Sequence, residues 1–198
     1  MRPRAGRRVD LESFRGGVVP DLTQPRTRLL FVGTNPGLRA VAVQAPFPGH
    51  GNRFFPALFR AGITDRLIDT SFGYAPGDQD YLTDRGIGIT ALVAGATARA
   101  AELSTDDLLA GVARLARTVE RVGPVVVAIL GITAYRIAFG QPKALLGRQA
   151  QPFEGAQLWV VPNPSGLNRR ASLNDLASAY RAAARAAGLQ LASDDTSA

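Results

Sequence analysis

The stretch Val125-Val126-Val127-Ala128-Ile129-Leu130 is apolar at every position. A strand with one wet face alternates apolar and polar residues, so a short run without alternation requires cover on both faces. Three further short apolar runs, residues 28–32, 87–90 and 158–161, read as strands of the same buried kind. Helical patterns fall between them, over residues 52–61, 104–122, 133–139 and 173–187. The pattern over 104–122 is the clearest, with Leu108, Val112, Leu115, Val119 and Val122 on one stripe. Ser104 and Asp107 have the spacing of a capping box, and Gly123-Pro124 supplies a stop. Ser172 caps the last helix and Gly188 ends it. Strands alternating with helices predict parallel pairing. The expected fold class is α/β, a three-layer α/β/α sandwich around a central four-stranded parallel sheet. Ligands of such sheets bind beyond the carboxyl ends of the strands.

A chain of 198 residues suits one domain. The expected division is a flexible basic arm over 1–22, a single domain over 23–190, and a disordered tail over 191–198. No apolar run reaches the roughly 18–20 residues that cross a membrane, and no secretory pattern follows the basic start. Cysteine is absent, which excludes disulfides and thiol chemistry. His50 is the single histidine, which speaks against a His-based metal site or a Ser-His-Asp triad. The net charge is +7, carried by arginine with Lys143 the sole lysine. Arginine forks donate two parallel bonds to phosphate, so the surplus fits a polyanionic partner, although GC-rich coding produces the same bias.

Two loops sit at strand ends. The first, Gly33-Thr34-Asn35-Pro36-Gly37, follows the strand at 28–32 directly. Pro36 fixes its own φ and pushes Asn35 towards an extended conformation. The Asn35 amide offers an acceptor and donors, so it can orient a water. The segment lacks both the GxxxxGK[ST] pattern and the GxGxxG spacing, so neither a P-loop nor a dinucleotide loop is supported. On its own it is an ordinary turn. Twelve residues on, Phe47 lies between Pro46 and Pro48. It serves either as a loop anchor or as a stacking platform for a flat base. The second loop, Asn163-Pro164-Ser165-Gly166-Leu167-Asn168-Arg169-Arg170, follows the strand at 158–161. Leu167 reads either as a wedge that enters a base stack, with Arg169 and Arg170 on phosphates, or as a staple packed on its own helix.

The two loops together, in this order, with Asn52-Arg53-Phe54 between them, resemble the mismatch-specific uracil-DNA glycosylases, bacterial relatives of thymine-DNA glycosylase. The similarity runs from about residue 29 to 180. The resemblance implies a DNA-repair enzyme, a monofunctional glycosylase of base excision repair. Such an enzyme flips uracil from a G:U mismatch in duplex DNA, or thymine or another damaged pyrimidine. It then hydrolyses the N-glycosidic bond to leave an abasic site. Asn35 would position the water, Phe47 would stack on the base, backbone groups near Thr34 and Phe47 would read the base edge, and Thr34, Pro36, Gly37 and Ala40 would shape the pocket. Asn163, Ser165, Gly166, Leu167, Asn168, Arg169 and Arg170 would form the wedge and hold the backbone. Thr34 stands where relatives often carry Ile, and Ala40 lies where small residues limit room for a 5-methyl group. No metal and no cofactor are implied. The expected partner is damaged double-stranded DNA, with no membrane, a monomeric state and a cytoplasmic location at the bacterial nucleoid. Asp84, in Tyr81-Leu82-Thr83-Asp84-Arg85-Gly86, is a second candidate catalytic group, against a surface or structural role. The alternative from another class is a non-catalytic binder of mismatched or damaged DNA.

Overall fold

The computed structural model describes residues 10–192. In chain order the elements are β1 (Leu29–Gly33), α1 (Leu38–Val43), α2 (Phe54–Arg60), α3 (Asp78–Asp84), β2 (Ile87–Ala91), α4 (Thr105–Val122), β3 (Val126–Leu130), α5 (Ile132–Ala138), β4 (Gly147–Arg148), β5 (Gln157–Val161) and α6 (Leu173–Ala186). Short 3₁₀ turns lie at Leu11–Phe14 and Ala100–Glu102. The sheet order is β2-β1-β3-β5-β4. The first four strands are parallel, as expected. A fifth, β4, pairs antiparallel with the outer edge of β5. Gly147 and Arg148 are too short a pair to carry periodicity, so nothing in the sequence marks them as a strand.

The unbroken apolar run is buried on both sides. Val126, Ala128 and Leu130 join one core with Phe31, Phe54, Leu58 and Tyr180, under α2 and α6. Val127 and Ile129 join the other with Leu30, Leu115, Val119 and Tyr135, under α4 and α5. Side chains that alternate across the pleat thus feed two separate cores from one strand. The stripe of α4 is buried at Leu108, Leu115, Val119 and Val122. Gly111 shares that face because a Cβ there would meet the Leu92 carbonyl oxygen at 2.7 Å. Both capping boxes are formed, Ser104 with Asp107 and Ser172 with Asp175.

The packed body is longer than 23–190. The 3₁₀ turn at Leu11–Phe14 precedes a β-bridge from Leu22 to Ile89, with Leu22 N–H donating to Ile89 O at 2.8 Å and the return bond also 2.8 Å. The stretch from Asp10 to Leu22 is therefore part of the domain rather than arm. At the other end Leu191 is buried and the Ala192 N–H donates to Gly62 O. The rest of the expected arm and tail, residues 1–9 and 193–198, lies outside the described residues. No helix among the described residues is long and apolar enough to cross a membrane.

Candidate active site at the carboxyl ends of the strands

A cavity of about 300 Å³ opens at the carboxyl ends of β1, β2 and β3. That is the small end of the range for small-molecule sites, roughly 300–1,000 Å³. Thr34, Asn35, Pro36, Gly37, Ala40 and Phe47 all line it. Asn163 and Ser165 enter from the second loop, so the two loops share one rim.

The Asn35 side chain is fixed through its nitrogen. Nδ2 donates to Thr97 Oγ1 at 2.8 Å, to Pro36 O at 3.1 Å and to Gly95 O at 3.2 Å. Oδ1 has no partner among the described residues. An amide held by its donors presents its acceptor, the arrangement that aligns the O–H of a water. Pro36 O also accepts from the Thr97 N–H, which ties the loop to the segment beyond β2. Neither Gly33 nor Gly37 has a positive φ, and a Cβ at Gly37 would meet nothing within 4 Å. Neither glycine is thus forced by its protein neighbours; at Gly37 the open space belongs to the cavity.

Phe47 is anchored in the core and also lines the cavity. Its ring packs on Phe54 at 4.2 Å between centroids. Its φ of 54° lies in the left-handed region, where a bulky side chain is strained. Phe54 itself is fully buried, so the ring pair transmits the position of α2 to the cavity wall.

The second loop is built by its own polar groups. Asn163 Oδ1 accepts from the Ser165 N–H at 2.8 Å, and Asn168 Nδ2 donates to Asn163 O at 2.9 Å. Asn168 Oδ1 accepts from the Arg170 N–H, and Ser165 Oγ from the Leu167 N–H. Arg53 clamps the whole turn, donating to Ala171 O at 2.6 Å, Asn168 O at 2.7 Å and Ser165 O at 3.0 Å. Gly166 fits because a Cβ there would lie 2.5 Å from Gly51 O. At the tip Leu167 is 89% exposed, which excludes the staple packed on its own helix. Arg169 and Arg170 are exposed beside it. A shallow groove runs from the cavity rim at Arg39, Pro48, Asn52 and Ser165 to His50 and Leu167.

Asp84 does not belong to this site. It closes α3 just before β2 begins, at the opposite end of that strand from the cavity. Its carboxylate pairs with Arg26 at 3.1 Å, both side chains largely exposed. The carboxylate that does line the cavity is Asp21. Its oxygens accept from Thr90 Oγ1 at 2.7 Å and Arg114 Nη2 at 2.9 Å. Asp21 lies within the stretch expected to be arm, and Arg114, on α4, carries no sequence signal of its own. Thr97 carried no signal, because only the fold brings it to Asn35.

The sequence model of the uracil DNA glycosylase superfamily matches residues 20–186. The fold is similar to the solution NMR structure of a candidate uracil DNA glycosylase from Methanosarcina acetivorans. The TM-score is 0.59 at 18% sequence identity, covering 87% of this chain and 98% of that one. The family match spans both loops, the cavity between them and every strand of the sheet, and the chain belongs to the uracil DNA glycosylase superfamily.

Proposed function

We propose that the protein is a monofunctional DNA glycosylase that everts uracil from a mismatch with guanine in duplex DNA and hydrolyses its N-glycosidic bond. The observation that carries this reading is the Asn35 amide, locked by three acceptors on Nδ2 and leaving Oδ1 to the cavity that Phe47 walls.

An amide takes no proton at neutral pH, so the pathway suited to Asn35 breaks the glycosidic bond ahead of water attack. The sugar then carries oxocarbenium character and the base leaves as an anion. Asn35 Oδ1 accepts from the water and holds it for the cation, an entropic contribution. A dry cavity beside oriented backbone dipoles favours the departing anion. Phe47 offers its free face to the everted base, and Leu167 fills the vacated position in the duplex. Eversion costs a few kcal/mol, and less for a weakly paired base, so mismatch preference originates partly in the DNA. Lyase chemistry needs an amine nucleophile, and no lysine lines the cavity.

The test is single-turnover cleavage of a duplex with one uracil opposite guanine, read as alkali-labile strand breaks, beside thymine and hypoxanthine in the same context. Breaks at uracil by wild type, lost in Asn35→Ala with duplex binding retained, support the reading. Tight binding without breaks would instead assign a non-catalytic binder.

A further inference from the structure

Asp21, Thr90 and Arg114 form a polar wall in the cavity that water positioning by Asn35 does not use. Asp21 leads into the Leu22–Ile89 bridge, which fixes its backbone along β2. Thr90 Oγ1 occupies one carboxylate oxygen at 2.7 Å and Arg114 Nη2 the other at 2.9 Å. Arg114 is anchored in turn by Nη1 donating to Ala91 O at 2.6 Å. The Asp21 side chain is 19% exposed and that of Arg114 31%, so the pair faces the cavity without being sealed away. Each carboxylate oxygen has two acceptor positions, and each has one filled; the guanidinium keeps unused N–H donors.

The wall and the Phe47 ring line the same cavity. Thr90 pairs with Val32, and Ala91 with Gly33, in the register of β1 and β2. A Cβ placed on Gly33 would touch the Phe47 ring at 3.5 Å and the Thr90 carbonyl oxygen at 3.8 Å. The space over Gly33 therefore lies between the ring and the backbone of Thr90. The Thr90 side chain pairs in register with Val32 and turns to the α4 side, and from there Asp21 and Arg114 line the same cavity as Phe47.

We infer that Asp21, oriented by Thr90 and Arg114, is a specificity-determining residue that reads the edge of the everted base. The carboxylate accepts from a ring N–H while Arg114 donates to the adjoining carbonyl. That pattern of acceptor beside donor matches an imide or lactam edge, as in uracil at N3–H and a neighbouring C=O. A site built to bond a substrate N–H rejects an analogue lacking it far more strongly than an apolar pocket rejects a changed methyl group. The inference rests on the glycosylase reading above.

The experiment compares single-turnover cleavage of two duplexes, one with uracil and one with N3-methyluracil opposite guanine, by wild type, Asp21→Ala and Asp21→Asn. Because both rates come from one preparation, their ratio does not depend on the folded fraction. Wild type is expected to cleave N3-methyluracil at least about 100-fold more slowly. In Asp21→Ala the ratio should fall below about 10, mainly by slower uracil cleavage, and in Asp21→Asn, which keeps one acceptor oxygen, it should fall less. For a variant that cleaves neither, the same ratio is measured as binding affinity for duplexes whose 2′-fluoroarabino sugars resist hydrolysis. Equal wild-type rates, or a ratio that survives in both variants, would overturn the assignment. Failure of wild type to cleave uracil at all would instead refute the glycosylase reading.

Discussion

At the scale of single residues, the site depends on which atom of a group is already engaged. Asn35→Asp would place an oxygen against Pro36 O, Gly95 O and Thr97 Oγ1, two of which only accept. Losing those bonds should cost about 1–3 kcal/mol of stability, seen as a lower midpoint in urea. Asn35→Ala should instead stay folded and lose on the order of 10²-fold or more in cleavage rate. Thr97→Val removes the shortest of the three bonds, so it should lower the rate while leaving binding of an abasic-site duplex unchanged. Leu167 is 89% exposed, so Leu167→Ala should leave the melting temperature within about 1 °C while weakening retention on abasic DNA. Gly166→Ala gives the reverse balance. Its methyl is driven at the Gly51 carbonyl, and the clash should cost about 1–3 kcal/mol and disturb both loops.

At the scale of elements, the parts most legible in the sequence were those set by local chemistry. The Val125–Leu130 run announced a strand covered twice, and it divides its side chains between two cores. Ser104 with Asp107 marked the start of α4, and Ser172 the start of α6, at the positions where both caps form. Asn35 and Phe47 were legible through the resemblance of the two loops to a known family, and both line the cavity. What stayed hidden depends on distant partners: β4 exists through Trp159 and Val160, and Asp21 faces the cavity through Leu22 on Ile89. Asp84 misled because proximity to a strand in sequence does not say which end of the strand is reached. The caps also carry a pH dependence. Serine hydrogen bonds, side-chain and backbone, hold the Asp107 and Asp175 carboxyls below the ordinary aspartate range. A depressed folded pKa stabilises above the unfolded value and is lost as pH falls through the folded one. Ser104→Ala and Ser172→Ala should each cost about 1 kcal/mol at neutral pH, and the gap to wild type should narrow below about pH 4 in thermal melts.

At the scale of the whole molecule, two loops from separate strand ends converge because parallel strands bring all their carboxyl termini to one side. Arg53 couples them: it stands at the head of α2, just beyond the Phe47 loop, and its guanidinium holds the carbonyls of the Leu167 loop. Tyr180 adds a buried hydroxyl donating to Pro162 O, and burial pushes that phenol's pKa up so that it stays a donor. Replacing Arg53 with Met should free the second loop, lowering duplex affinity more than the uracil cleavage rate at saturating enzyme. The exposed Arg169 and Arg170 suit phosphates, and so the affinity should fall steeply with salt, the slope flattening by about one for each arginine removed. The proposed chemistry of the whole molecule depends on Asn35. Single-turnover rates on a G:U duplex should show a wild-type burst of abasic sites, and a loss of 10²-fold or more in Asn35→Ala at unchanged affinity for abasic DNA. Equal rates for the two proteins would contradict it.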